Sequence, residues 1–203
     1  EKRCEPGPEN PAAWRDYIER LVTFFPAGCL EGLKVVFYQH SCVSRQILPE
    51  MLRRLGASVI EVGSSETFVP VDTEAVADTE KLAAWVAEHG ADALVSADGD
   101  GDRPLVFDEK GKVVRGDVLG ILVADSLEAD SVSVPVSCNT AVEKSNWFDQ
   151  VLRTRIGSPY VVAAMTEAAR SGDPVGGYEA NGGFLLESDI RRDDRGLSRL
   201  PTR

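Results

Sequence analysis

Asp98, Asp100 and Asp102 alternate with Gly99 and Gly101, and Arg103 closes the run. Alternate carboxylates on a turned backbone can converge on one hard divalent cation, which prefers oxygen ligands. Glycines between them permit a tight, positive-φ path. The same composition also suits a solvated hairpin connection, so spacing alone leaves both readings open. An EF-hand loop likewise begins with carboxylates at alternate positions, and Glu109 falls where its last ligand would stand. Arg103 occupies the place of that loop's invariant glycine. The flanks also read as strands rather than helices, which excludes an EF-hand.

The elements around this loop set its position. Ala93 to Ser96 is a short apolar run that reads as a buried strand and delivers the loop to the carboxyl end of a sheet, where open α/β folds place ligands. Upstream, the pattern predicts a helix over Glu9 to Phe25, a strand over Leu33 to Tyr38, a helix through Ile47 to Leu55 stopped by Gly56, and a strand over Val59 to Val62. Leu82, Trp85 and Val86 mark one face of a further helix that Gly90 ends. Pro104 to Asp108 leaves the acidic loop as a strand, with a turn at Glu109-Lys110-Gly111-Lys112. A similar cycle follows. Helices are expected over Asp117 to Leu127, Thr140 to Phe148 and Ser158 to Arg170, and strands over Val132 to Val136, Val151 to Arg155 and Val175 to Tyr178. Ser158 is expected to cap its helix, with Pro159 at the tolerated first turn. The last of these strands delivers a second polar loop, Glu179-Ala180-Asn181-Gly182-Gly183, and Phe184 to Leu186 leaves it. Two strand–helix cycles predict an α/β fold of two consecutive three-layer α/β/α domains with mixed, mostly parallel sheets. The domains are expected at 9–115, carrying the acidic loop, and 116–203, carrying the second loop and ending with its cycle incomplete.

Composition narrows the function. The 203 residues suffice for one large or two ordinary domains, and 43% are hydrophobic. The net charge of −11 argues against a nucleic-acid surface. An acidic chain can still hold a phosphorylated ligand where a cation and a few arginines screen it locally. No apolar stretch is long enough to span a membrane. The polar start, Glu1 to Pro8, lacks both a signal-peptide pattern and an initiator Met, which points to a fragment or a processed chain, and a cytoplasmic protein is expected. Cys4, Cys29, Cys42 and Cys138 are scattered without a C-x-x-C pair and read as reduced thiols.

Three motifs in a fixed order carry a resemblance that covers nearly the whole chain. The run Asp98 to Arg103 resembles the magnesium loop of the α-D-phosphohexomutases. Thr154-Arg155-Ile156-Gly157-Ser158-Pro159-Tyr160 resembles that family's third-domain T-x-V-G-x-x-Y segment, and Gly177-Tyr178-Glu179-Ala180-Asn181-Gly182-Gly183 its sugar-recognition loop. The resemblance is to the second and third of four domains, in the phosphomannomutase-like branch. It implies intramolecular phosphoryl transfer on a hexose phosphate (mannose 6-phosphate to mannose 1-phosphate), through a phosphoserine and a hexose bisphosphate. Mg²⁺ would be held by Asp98, Asp100 and Asp102, and Arg103 would steady the phosphoryl oxygens. Glu179 would accept hydrogen bonds from adjacent sugar hydroxyls, with Asn181 adding a contact. Gly157 and Ser158 either line the same cleft or form a helix entry. The phosphoserine and an arginine-rich phosphate loop would come from flanking domains of a parent chain, leaving an isolated fragment inactive. Phosphoglucomutase, phosphoglucosamine mutase and a noncatalytic metal- or sugar-phosphate-binding module remain the alternatives.

The chain departs from the family pattern in places. Many relatives end the sugar loop in a histidine, where this chain has Gly183, and a cleft His or Lys of some members falls at Ser158 or Ser137. Lys144 could reach the cleft or stay solvated. His40, at a strand end, is either a phosphate contact or a satisfied polar residue, and His89 suits the last turn of a helix. Arg191, Arg192, Arg195, Arg199 and Arg203, interleaved with Asp193 and Asp194, read as an exposed loop.

Overall fold

A computed structural model describes residues 10–169 and 174–187. Cys4 and the arginine-rich stretch from Arg191 to Arg203 lie outside the described residues. The first half contains α1 (Pro11–Val22), β1 (Lys34–His40), α2 (Ile47–Arg54), β2 (Ser58–Ser64), α3 (Thr79–His89), β3 (Ala93–Ala97), β4 (Pro104–Phe107) and β5 (Val113–Val114). The second contains α4 (Gly116–Ser126), β6 (Ser131–Pro135), α5 (Ala141–Ser145), β7 (Gln150–Thr154), α6 (Ser158–Ala168), β8 (Val175–Tyr178) and β9 (Phe184–Leu186).

Two mixed sheets result, ordered β2-β1-β3-β4-β5 and β7-β6-β8-β9. The central strands β1 and β6 pair in parallel with both neighbours, and the strands after each loop return antiparallel. A parallel strand covered on both faces needs apolar residues on both, and β1 has them. Val36 joins a cluster with Leu82 and Val86 of α3, Leu94 of β3, and Leu105 and Phe107 of β4. Alternation turns Val35 and Phe37 to the opposite face, and both are buried too. In the second sheet, Ile121 and Ala124 of α4 join Val132, Val134, Val142 and Tyr178 on one face. Val161 and Met165 of α6 join Val175 on the other. α4 can lie this close because Gly120 faces Tyr178; a Cβ there would overlap the fully buried ring.

Two helix expectations need correction. Ser158 does not cap α6. The cap is Gly157, at φ 121°, and Ser158 is the first helical residue, with no side-chain capping bond. That backbone region suits glycine, so the chain turns into the helix one residue earlier than the sequence suggested. The helix expected over Thr140 to Phe148 is also short: α5 stops where Asn146 takes the left-handed conformation, φ 56°. His89 does sit in the last turn of α3, before Gly90. Cys29, Cys42 and Cys138 are unpaired among the described residues, and burial, with Asp117 nearby, pushes the Cys138 thiol up to about 12.

The two sheets meet at the start of α4. A Cβ at Gly116 would overlap the Gly182 nitrogen and the Ala180 carbonyl oxygen, so backbone lies directly on backbone there. The next acidic residue, Asp117, is 1% exposed and accepts two bonds from Arg115, at Nε and Nη2, both 3.1 Å, and one from the Asn139 N–H at 2.9 Å. Burial opposes its ionisation, but the Arg115 pair and the Asn139 N–H outweigh it and hold the carboxyl below its ordinary value. A lowered native value contributes stability that is present above the unfolded value of about 3.9 and is lost as pH falls through the native one. The wild-type melting temperature should therefore drop as pH is lowered below about 4. Asp117→Asn, about 1–3 kcal/mol less stable at neutral pH, should show a shallower drop over that range in thermal melts.

Candidate active site

β3 ends at Ala97, and the chain turns through the acidic loop into β4, with Ala97 paired to Pro104. The Asp98 N–H donates to the Arg103 carbonyl at 3.0 Å and closes the loop. Asp98 also organises it from inside: its Oδ1 accepts the N–H groups of Gly101 at 3.1 Å and Arg103 at 3.2 Å. Gly101 takes φ 83°, and a Cβ there would sit 3.0 Å from Ser44 Oγ. The turn after β1 supports the loop from outside, with the Val43 N–H donating to the Gly99 carbonyl at 3.1 Å. These bonds explain why this sequence forms a defined loop rather than a loose hairpin tip.

The loop gathers its three carboxylates. One oxygen from each of Asp98, Asp100 and Asp102 lies within 4.8 Å of the others. Ligands of an octahedral Mg²⁺ at about 2.1 Å stand roughly 3–4 Å apart, so small rotamer changes would bring the three onto one ion. An all-oxygen, anionic donor set fits a hard divalent cation. Partial burial, then the charges of Asp98 and Asp100, push the Asp102 carboxyl above its ordinary range, and Arg103 only partly offsets them. Arg103 stands 3.9 Å from both Asp98 and Asp102, too far for a hydrogen bond, and its side chain is half exposed.

The second loop is built the same way. The Glu179 N–H donates to the Gly183 carbonyl at 3.1 Å, and the Gly182 N–H to the Glu179 carbonyl at 3.0 Å. Asn181 is buried and its Oδ1 accepts the Gly183 N–H at 2.8 Å, which leaves its amide NH₂ as the free polar group. Glu179 is half-buried, and its carboxylate has no hydrogen-bond or ion-pair partner among the described residues.

The two loops share one open cleft of about 280 Å³, lined by Asp102, Arg103, Ser158, Glu179, Asn181, Gly183, Phe184 and Leu185. Five residues singled out from the sequence thus meet across the two sheets. Gly157 is not in the lining; it shapes the entry to α6, whose first residue, Ser158, reaches the cleft. His40 is fully buried and its Nε2 donates to the Ala97 carbonyl at 2.8 Å, so it props the end of β3 and does not line the cleft. Lys144 is exposed on α5 and does not line the cleft. Phe184 and Leu185, not singled out from the sequence as site residues, also contribute to the cleft lining; the short apolar strand they begin was visible, its placement beside the cleft was not.

Residues 15–111 match the family model described as phosphoglucomutase/phosphomannomutase, alpha/beta/alpha domain II. A phosphomannomutase of Salmonella muenchen is 45% identical over 193 residues, spanning 94% of this chain and 40% of the relative. One from Sinorhizobium fredii (strain NBRC 101917 / NGR234) is 48% identical over 204 residues, spanning 98% and 43%. A phosphoglucosamine mutase of Granulibacter bethesdensis is 33% identical over 191 residues, spanning 89% and 41%. The chain thus spans about two fifths of the length of the curated relatives it matches. Its fold is shared with a crystal structure of a phosphoglucomutase/phosphomannomutase family protein from Burkholderia thailandensis, at TM-score 0.67 and 21% identity over 86% of this chain and 39% of the other.

The charge crowding of the acidic loop is directly measurable. In metal-free protein, carboxyl NMR titration should find Asp102 protonating above the ordinary aspartate range. Asp100→Asn removes one of the three causes and should shift Asp102 downward; an unchanged titration would show that its neighbours do not press on it.

Proposed function

The chain belongs to the α-D-phosphohexomutase family, and from that premise we propose that it forms the metal- and sugar-reading centre of a cytoplasmic phosphomannomutase. The observation that carries this reading is the single cleft joining Asp102 and Arg103 to Ser158, Glu179 and Asn181. The higher identity to the two phosphomannomutases than to the phosphoglucosamine mutase favours mannose phosphates as the substrate.

Asp98, Asp100 and Asp102 would hold Mg²⁺, which when bound supplies the positive charge that a phosphoryl group in transfer needs. Arg103 is free to hold phosphoryl oxygens through charge-assisted hydrogen bonds, because its own ion pairs are long and its side chain is open to the cleft. Glu179, half-buried and unpaired among the described residues, accepts hydrogen bonds from two adjacent hydroxyls and so fixes the orientation of the ring. Asn181 donates through Nδ2. Ser158 offers its hydroxyl at the amino end of α6, where the helix dipole favours a phosphate. Phe184 and Leu185 add apolar atoms to the cleft lining.

The phosphoserine that gives its phosphoryl group to the hexose phosphate, and the loop that holds the distal phosphate, belong in this reading to flanking domains of a parent protein. The group passes from serine oxygen to a sugar hydroxyl oxygen, giving a bisphosphate. The other phosphate of the bisphosphate then returns to the serine. The domain division proposed for this chain remains 9–115 and 116–203. By itself the chain binds ligands without turning them over.

Titration calorimetry on the chain separates the two loops. Asp100→Asn should weaken Mg²⁺ binding at least tenfold, about one charge-assisted hydrogen bond's worth of affinity or more. Glu179→Ala should weaken mannose 1-phosphate binding by a similar factor and leave Mg²⁺ affinity unchanged. Wild-type affinities in both variants would remove the basis for the reading. A mutase assay of the full-length parent with Mg²⁺ and a trace of hexose bisphosphate then compares mannose 1-phosphate with glucose 1-phosphate. Faster conversion of the mannose ester is expected, and conversion of neither would favour a noncatalytic binding module.

A further inference from the structure

Residues 65–78 run from β2 to α3 without regular secondary structure. The segment is fixed at several points. Its Val69 N–H donates to Ser41 Oγ at 2.8 Å, in the same turn whose Val43 N–H holds the acidic loop. Asp72 Oδ1 accepts the N–H groups of Glu74 at 2.8 Å and Ala75 at 3.1 Å, which tightens the strap around Thr73. Thr73 is 7% exposed, and its Oγ1 donates at 2.9 Å to the carbonyl of Asn181, in the β8–β9 turn of the other sheet. Three hydrogen bonds joined by short stretches of backbone therefore lead from the acidic loop through Val43, Ser41 and the strap to the turn that carries Glu179.

We infer that Thr73 is a positioning residue that sets where Glu179 stands relative to Arg103 and Asp102, and so sets the affinity of the cleft for a hexose phosphate without touching it. The inference rests on the reading that the Glu179 loop binds the sugar. The hydroxyl, not the bulk, is the active part. Valine would fill the same volume and take away the donor from a buried carbonyl. The backbone contact between Gly116 and Gly182 would persist and keep the sheets together. What would loosen is the rotation of the turn about that contact, and this rotation moves the Glu179 carboxylate across the cleft. Pro104, beside Arg103, packs against Gly182 from the acidic-loop side, at 3.1 Å from a Cβ built there. It limits translation of the turn but supplies no directional bond. Thr73 supplies the directional one.

The test compares Thr73→Val and Thr73→Ser with wild type in the full chain, with Thr73→Ala as a substitute should valine prevent folding. Amide hydrogen exchange is read over residues 179–183 and over α6, and calorimetry reads Mg²⁺ and mannose 1-phosphate separately. Thr73→Val should speed exchange in the turn about tenfold, the equivalent of one lost hydrogen bond, with α6 unchanged. It should weaken mannose 1-phosphate by a similar factor and leave Mg²⁺ affinity at its wild-type value, while Thr73→Ser restores both exchange and binding. Unchanged exchange in Thr73→Val would overturn the latch. Faster exchange with unaltered sugar-phosphate affinity would overturn the positioning role. If wild type itself binds no sugar phosphate, the functional reading falls first and this inference with it; wild-type binding matched by Thr73→Val defeats Thr73 alone.

Discussion

The arrangement of the cleft depends on one close approach of two backbones, Gly116 against the turn at Ala180 to Gly182. The acidic loop and the Glu179 loop belong to different sheets, so nothing within either sheet fixes the distance between them. Contacts between long side chains would give a soft joint, because rotamers can change. Direct backbone contact leaves no such slack, since close-packed atoms resist further approach. The seam is then given direction by Thr73 and bounded by Pro104. The buried Asp117, held by Arg115 and Asn139, secures the first turn of α4, on which Gly116 rides.

Each loop is preorganised by the same device. It follows the third strand in a series, β3 in one sheet and β8 in the other, and the next strand returns antiparallel. A loop between parallel strands could wander along a helix before returning. Here the antiparallel return closes the loop at its base, by Asp98 to Arg103 in one case and Glu179 to Gly183 in the other. In both, an acidic or amide side chain turns inward to satisfy loop N–H groups, Asp98 in the first and Asn181 in the second. The remaining polar groups are left to face the cleft. Functional groups on short, braced loops above a rigid sheet lose little freedom when a ligand binds.

Electrostatics gives the cleft its polarity. The chain carries −11 overall, and in the acidic loop partial burial, with the neighbouring charges of Asp98 and Asp100 adding to it, raises Asp102 above its ordinary range. Such a loop repels a phosphate until a cation neutralises it. Arg103, beside the carboxylates yet bound tightly to none, is the local positive group of the cleft lining. Under the proposed reading, cation and arginine together convert an acidic surface into a place for a phosphorylated sugar, with Glu179 left to read the ring's hydroxyls.

Local features were legible in the sequence because they are written locally. Apolar runs and helical spacing give the strands and helices, and the repeat of the cycle gives the two sheets of like order. The alternation of Asp and Gly gives a loop able to gather carboxylates. The boundaries that were misread turn on single backbone torsions, Gly157 at φ 121° and Asn146 at φ 56°, which leave no trace in periodicity. Thr73 was not legible at all. It lies in a stretch with neither helical nor strand pattern, and its partner Asn181 is 108 residues away. Which chemical groups each loop presents follows from residue order alone. That Asp102 and Arg103 share one cleft with Ser158, Glu179 and Asn181 follows from packing, because separations between loops on different sheets are set by long-range contacts at Gly116, Pro104 and Thr73, and no local preference encodes such a distance.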